Sequence, residues 1–206
     1  MKEKNKYVKA LNHLRKDPIM RELISEYGAP DLNSKNDFFN ALIKSIIFQQ
    51  LSGKSAGKIY HRFINLFSNK TPEVSLLRNM QIDSLRDIGL SEKKSTYIIG
   101  LADYFHSGGK DIDFYKLSNI EVYNELINIK GIGPWTIDMF LMFTLFRTDI
   151  LPIGDLGIQK GFKILYNLDE LPTSEFMLDK SKSWSPYRTI ASVYIWRLVD
   201  SDDDNW

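Results

Sequence analysis

The sequence contains no cysteine, which excludes disulfides, thiolate catalysis, zinc–thiolate centres and iron–sulfur clusters, and agrees weakly with a reducing compartment. Its three histidines, His13, His61 and His106, lie far apart and show no metal-ligand spacing, so neither a catalytic metal nor another cofactor is expected. Long apolar runs are also missing. The longest, Met139 to Phe146, falls far short of the ~20 residues that span a bilayer, and no charged-then-apolar signal pattern opens the chain. The expectation is a soluble cytoplasmic protein (nuclear in a eukaryote) without membrane association. There is no repeat, low-complexity tract or Pro/Gly-rich linker, so a second lobe would have to be welded to the first.

What is present is a chain of 206 residues, 43% hydrophobic, enough for one large domain or two small lobes sharing a cleft. The formal charge of +1 conceals an acidic tail over 200–206 holding Asp200, Asp202, Asp203 and Asp204; with those four set aside, residues 1–199 carry +5. That mild basic bias suits a polyanion without identifying one.

Apolar residues recur at helical spacing nearly throughout, and no stretch alternates long enough to make a strand, so the fold class is all-α. Asp17–Pro18, Asp37, Ser91 and the Ser118/Glu121 capping box mark helix starts; Gly28, Ser52–Gly53 and Gly108–Gly109 mark stops. A fourth helix is expected to run from Ala56 through Phe67, and a last one to open with Ser185 as N-cap and Pro186 as first helical residue, with Tyr187 and Tyr194 in its core face. All seven prolines fall at element starts or connections.

Residues 126–139 read LINIKGIGPWTIDM: an amphipathic helix, a turn with Gly131 and Gly133, and a second helix opened by Pro134 and Trp135. Glycines let backbone N–H groups approach a ligand, and a helix N-terminus presents unpaired N–H groups with the positive end of the macrodipole, so an anion is the natural guest. The string resembles the helix-hairpin-helix of base-excision DNA glycosylases, the HhH-GPD superfamily. The resemblance implies that the hairpin grips one DNA strand through backbone amides around Gly131, Gly133 and Thr136, with turn carbonyls able to hold a monovalent cation. Bifunctional members place a nucleophilic lysine where this sequence has Trp135, which cannot form a Schiff base; GIGPWT followed by Met139 resembles the AlkA-type 3-methyladenine branch.

Downstream, LPIGDLGIQKGF places Asp155 before a helical pattern through Leu156, Ile158, Phe162 and Leu165. Read from the residues, Asp155 is a helix N-cap. The resemblance adds a catalytic role: an aspartate at this place faces the flipped nucleotide, stabilises the oxocarbenium-like sugar and accepts a proton from water. The stretch WSPYRTIASVYIWR over 184–197 resembles the final helix of the same branch, which implies that Trp196 lines the base pocket with Trp135 and Met139, an electron-rich wall for a cationic base. Arg188 is assigned either to phosphate or to the surroundings of Asp155, and Asp138 to the surface or to helix pairing. IIFQQLSGKSAGK over 46–58 resembles the family's wedge loop, with Gln50 and Leu51 as plug and wedge, although Leu51 is also readable as the last core residue of its helix. Lys54 and Lys58, one turn apart, are candidates for phosphate.

The resemblance implies a two-lobed helical fold with a DNA-binding cleft: a lobe over 38–147 ending in the hairpin, and a second from 1–37 with 148–206, in a compact form lacking the N-terminal mixed α/β domain of AlkA. The expected activity is monofunctional excision of alkylated purines such as 3-methyladenine and 7-methylguanine from double-stranded DNA, by a monomer, in base excision repair. The rivals are a non-catalytic hairpin binder of damaged DNA and an architectural helical protein.

Overall fold

A computed structural model describes residues 7–30 and 37–199; the acidic tail lies outside these. Every regular element among them is helical. The α-helices are α1 Val8–Leu14, α2 Pro18–Tyr27, α3 Phe38–Phe48, α4 Gly53–Ile64, α5 Val74–Arg78, α6 Ile82–Asp87, α7 Glu92–His106, α8 Asn119–Leu126, α9 Pro134–Phe143, α10 Leu156–Leu165, α11 Ser174–Lys180 and α12 Arg188–Val199, with 3-10 turns at Gly109–Asp111 and Ser181–Trp184. No described helix is long and apolar enough to cross a membrane.

The helices start where short polar side chains can take a first-turn N–H. Asp17 Oδ1 accepts from Met20 N at 3.1 Å and Asp37 Oδ1 from Asn40 N at 3.0 Å. Ser118 and Glu121 form the reciprocal capping box, each such device contributing about 1 kcal/mol. Gly28 ends α2 at φ +69°, a conformation costly for a side chain.

The described residues divide into two compact units, one of residues 37–140 and one of residues 7–30 with 141–199, the boundary falling inside α9. In the first, α7 packs against α3, α5 and α6. Phe39, Leu42, Ile43, Ile46 and Ile47 of α3 and Ile98, Leu101, Ala102 and Phe105 of α7 are all buried. The rings of Phe38, Phe114 and Phe140 meet edge-on at 5.3–5.8 Å, the arrangement the ring quadrupole favours.

In the second, α12 packs against α2 and α10. Tyr194, fully buried, donates its hydroxyl to Gly28 O at 2.6 Å, and Arg197 Nη1 donates to Tyr27 O at 3.1 Å; both tie α12 to the carbonyl end of α2. A Cβ on Gly161 would sit 2.1 Å from Ile195 Cγ2, so α10 approaches α12 through a position only glycine can fill.

Four expectations need correction. The last helix begins at Arg188, not Pro186: the Ser185 hydroxyl donates to Asp149 Oδ2 at 2.9 Å instead of capping, and Tyr187 N–H turns back onto Trp184 O. Tyr187 is half-buried, edge-on to His13. The fourth helix ends at Ile64, and Phe67 reaches the core from the turn beyond it. The first arm of the hairpin is α8, which stops at Leu126, so 127–130 is turn rather than helix.

Candidate active site

The hairpin turn occupies 127–133. Ile129 N–H bonds to Leu126 O and Ile132 N–H to Ile129 O, both at 3.0 Å, with Ile129 and Ile132 buried as anchors. The two glycines serve different ends. Gly131 has φ +93°, and a Cβ there would lie 2.3 Å from the Tyr97 ring, whereas a Cβ on Gly133 would meet nothing within 4 Å. Gly131 is therefore required by packing, and Gly133 leaves space at the start of α9. Trp135 and Thr136 follow in the first helical turn, where backbone N–H groups have no intrahelical acceptor.

The Thr136 side chain is not available to a phosphate. It is 1% exposed, and its hydroxyl oxygen accepts from Gln49 Nε2 at 2.9 Å. Only its main chain can serve an anion. Met139 is buried, and Trp135 and Asp138 are half-buried.

Between α3 and α4, Gln50 adopts φ +57°, uncommon for a residue with a Cβ, and its side chain is exposed. Leu51 is 41% exposed, which rejects the reading of it as a core residue closing α3. Ser52 caps α4 through Ser55 N at 3.4 Å. Lys54 and Lys58 are exposed on α4, and with Gly53, Gly57, His61 and Arg62 they line an open groove.

Two residues the sequence reading passed over hold this loop. Gln49 Nε2 donates to Gly131 O as well as to Thr136 Oγ1, both at 2.9 Å. Lys94 Nζ reaches from α7 to Ile47 O at 2.8 Å and Gln49 O at 2.6 Å, a cation on the carbonyl end of α3. Burial pulls the Lys94 ammonium below its ordinary pKa.

In the other unit, Asp155 caps α10. It is 9% exposed, and its Oδ1 accepts from Ile158 N–H and from the Trp196 indole N–H, both at 2.8 Å. Trp196 is 5% exposed, its ring tilted at 5.8 Å from Phe143. A Cβ at Gly157 would fall 2.9 Å from Trp196 Cδ1 and 3.0 Å from Asp155 Oδ1, so the indole reaches the carboxylate over a glycine. The sequence reading placed Trp196 in a base pocket but missed its hydrogen bond to Asp155; the signal was the glycine pair Gly157 and Gly161, one turn apart, facing the last helix.

Arg188 holds neither Asp155 nor an open anion site. It forms a forked pair with Asp149, Nε to Oδ1 at 2.6 Å and Nη2 to Oδ2 at 2.9 Å, and Ser185 donates to the same carboxylate. Burial alone would raise the Asp149 pKa, but the bonds from Arg188 and Ser185 outweigh it and hold the carboxyl below its ordinary value. Among the described residues no cluster of three His, Asp or Glu could hold a metal ion.

The family model described as HhH-GPD superfamily base excision DNA repair protein matches residues 43–186, a span running from α3 past Asp155. The 3-methyladenine DNA glycosylase of Schizosaccharomyces pombe, solved in complex with abasic DNA, superposes with a TM-score of 0.87 at 32% identity, covering 97% of this chain and 99% of that one. A DNA-3-methyladenine glycosidase from Bacillus halodurans gives a TM-score of 0.75 at 34% identity over 95% of this chain and 89% of its own. A putative DNA-3-methyladenine glycosylase of Bacillus subtilis is 30% identical over 197 residues, 92% of this chain and 68% of its own length. With a hairpin glycine that packing demands and a family match covering both hairpin and capping aspartate, the chain belongs to the HhH-GPD superfamily of base excision DNA repair proteins.

Proposed function

We propose that this chain is a monofunctional DNA glycosylase that hydrolyses the N-glycosidic bond of alkylated purines, of the 3-methyladenine and 7-methylguanine class, in double-stranded DNA, acting as a monomer. The observation that carries the reading is the carboxylate of Asp155, nearly buried yet held by two donors on one oxygen. Kinship with relatives named as 3-methyladenine glycosylases supports the substrate class.

In this reading the hairpin amides around Gly131, Gly133 and the Thr136 main chain grip a phosphate, with Lys54 and Lys58 on the backbone nearby, and such contacts position without reading sequence. Gln50 and Leu51 enter the gap left by the flipped nucleotide and offset part of the few kcal/mol that extrusion costs. A purine methylated at N3 or N7 carries positive charge, so cleavage of the C1′–N bond sends the bonding electrons to the ring and releases a neutral base. Water adds to C1′, and Asp155 stabilises the oxocarbenium-like sugar and takes the proton. Trp135, Met139 and Trp196 are assigned to the base pocket, where an indole face favours a cationic base. Trp135 in place of a nucleophilic lysine makes the reaction hydrolysis without strand cleavage.

The test is Asp155→Asn. An asparagine keeps the carbonyl oxygen that caps α10, so the fold should hold, while base release from methylated duplex should fall at least ~100-fold with DNA binding retained. Equal release by both proteins would remove Asp155 from the mechanism. Tight lesion binding without release by either would make the chain a binder of damaged DNA.

A further inference from the structure

Gln49 stands immediately before the exposed pair Gln50–Leu51, yet its own side chain turns to the hairpin. Both hydrogens of one amide nitrogen are spent there: one on the carbonyl of Gly131, the residue that packing holds as glycine, and one on the hydroxyl of Thr136 in the first turn of α9. Its main-chain oxygen accepts Lys94 Nζ, which also takes Ile47 O. One turn along the same helix, the Tyr97 ring packs against the Cα of Gly131. The turn is thus held by contacts with both Tyr97 and Gln49, and the end of α3 by Lys94 and the hairpin. None of these contacts involves Gln50 or Leu51.

We propose that Gln49 is a positioning residue that fixes the register between the phosphate-holding hairpin and the inserting pair Gln50–Leu51, so that gripping the backbone and entering the base stack occur as one rigid event. The inference rests on the glycosylase reading for the identity of the two ends. Loss of the amide leaves the hairpin's own amides in place and frees the wedge loop from them. Its cost falls on extrusion of a paired base rather than on contact with the backbone.

The experiment uses the full chain as wild type, Gln49→Glu and Gln49→Met. Both variants remove the donor, one with and one without a charge. Three duplexes are compared: undamaged, with a single 7-methylguanine opposite cytosine, and with the same lesion opposite an abasic site, each carrying 2-aminopurine beside the lesion position to report unstacking. Both variants should melt within a few degrees of wild type and bind undamaged duplex within ~3-fold, because each lost bond is individually modest. On the paired lesion both should lose the fluorescence rise and slow single-turnover release by ~30-fold, the effect of two lost bonds. On the lesion without a partner the loss should shrink to within ~3-fold, since less extrusion work remains. Equal losses on paired and unpartnered lesions, or weaker binding of undamaged DNA matching the rate loss, would overturn the proposal and leave Gln49 a structural brace. If wild type unstacks the lesion but releases no base, the glycosylase reading fails and the coupling is decided on fluorescence alone. If wild type unstacks nothing, the coupling falls too.

Discussion

The contact that most deserves perturbation is the one the Trp196 indole makes across Gly157, and Gly157→Ala is the smallest change that reaches it. The added methyl would lie 2.9 Å from Trp196 Cδ1, 3.0 Å from Asp155 Oδ1 and 3.1 Å from Trp196 Nε1. Two effects then oppose each other. Alanine in place of glycine in a helix gains up to ~1 kcal/mol, an upper limit for a residue in the first turn. Against it stand an overpacking cost of ~1–3 kcal/mol and the weakening of a hydrogen bond to a carboxylate worth ~1.5–3 kcal/mol. Trp196 is nearly buried, so the indole cannot swing clear, and the net expectation is a loss of ~1–3 kcal/mol, or about 3–10 °C in melting temperature for a chain of this size. Base release should fall by ~10-fold or more as the carboxylate shifts. Trp196→Ala supplies the control, because it deletes both the donor and the indole ring that the methyl would strike. The double variant should therefore be better than the sum of the singles by at least ~1 kcal/mol. Denaturant unfolding and single-turnover release measure both quantities. Additivity within ~0.5 kcal/mol, or a Gly157→Ala protein as stable and active as wild type, would refute the account of how Asp155 is held.

Two further outcomes test the packing and the charge pair of the same unit. Gly161→Ala puts a methyl 2.1 Å from Ile195 Cγ2 and 3.2 Å from Ile195 O, contacts a buried helix cannot yield cheaply, so thermal melting should drop by about 10 °C, corresponding to ~3 kcal/mol or more. Asp149→Asn should cost ~1 kcal/mol at neutral pH, modest because the forked pair is partly exposed. The Asp149 pKa is depressed on folding, so its contribution is fully present above the ordinary carboxylate value and fades as pH falls below about 4. The stability gap between wild type and variant should narrow over that range in chemical denaturation, and a gap constant with pH would refute the pairing.

What the sequence discloses here is what depends on near neighbours. Helical spacing identifies α3 and α7, and the caps at Asp17, Asp37, Ser118 and Asp155 act within three residues of themselves, so a linear reading finds them. Side chains whose partners are remote escape it. Ser185 looks like an N-cap beside a proline, but its hydroxyl belongs to Asp149, 36 positions earlier, and the helix starts later. Thr136 looks like a polar residue for a phosphate, but Gln49, 87 positions away, claims its oxygen. Arg188 offers a free guanidinium on paper and is spent on Asp149 in space. Asp155 was legible as a cap, and its second donor, 41 positions on, was not.

These remote bonds share a physical purpose in both units. A residue that must meet DNA has to stay exposed or bear a charge, and so forgoes the burial that stabilises ordinary side chains. Gln50 adds a positive φ, a conformation costing of order 1 kcal/mol or more. The offset has to come from an adjacent residue. Around Gln50 it comes from the two bonds of the Gln49 amide and the two of Lys94, at ~0.5–1.5 kcal/mol each; at Asp155 it comes from Ile158 N–H and Trp196. Substitutions at Gln49 and Lys94 should therefore impair base release out of proportion to their effect on overall stability, whereas Leu51→Ala should impair release and leave stability unchanged.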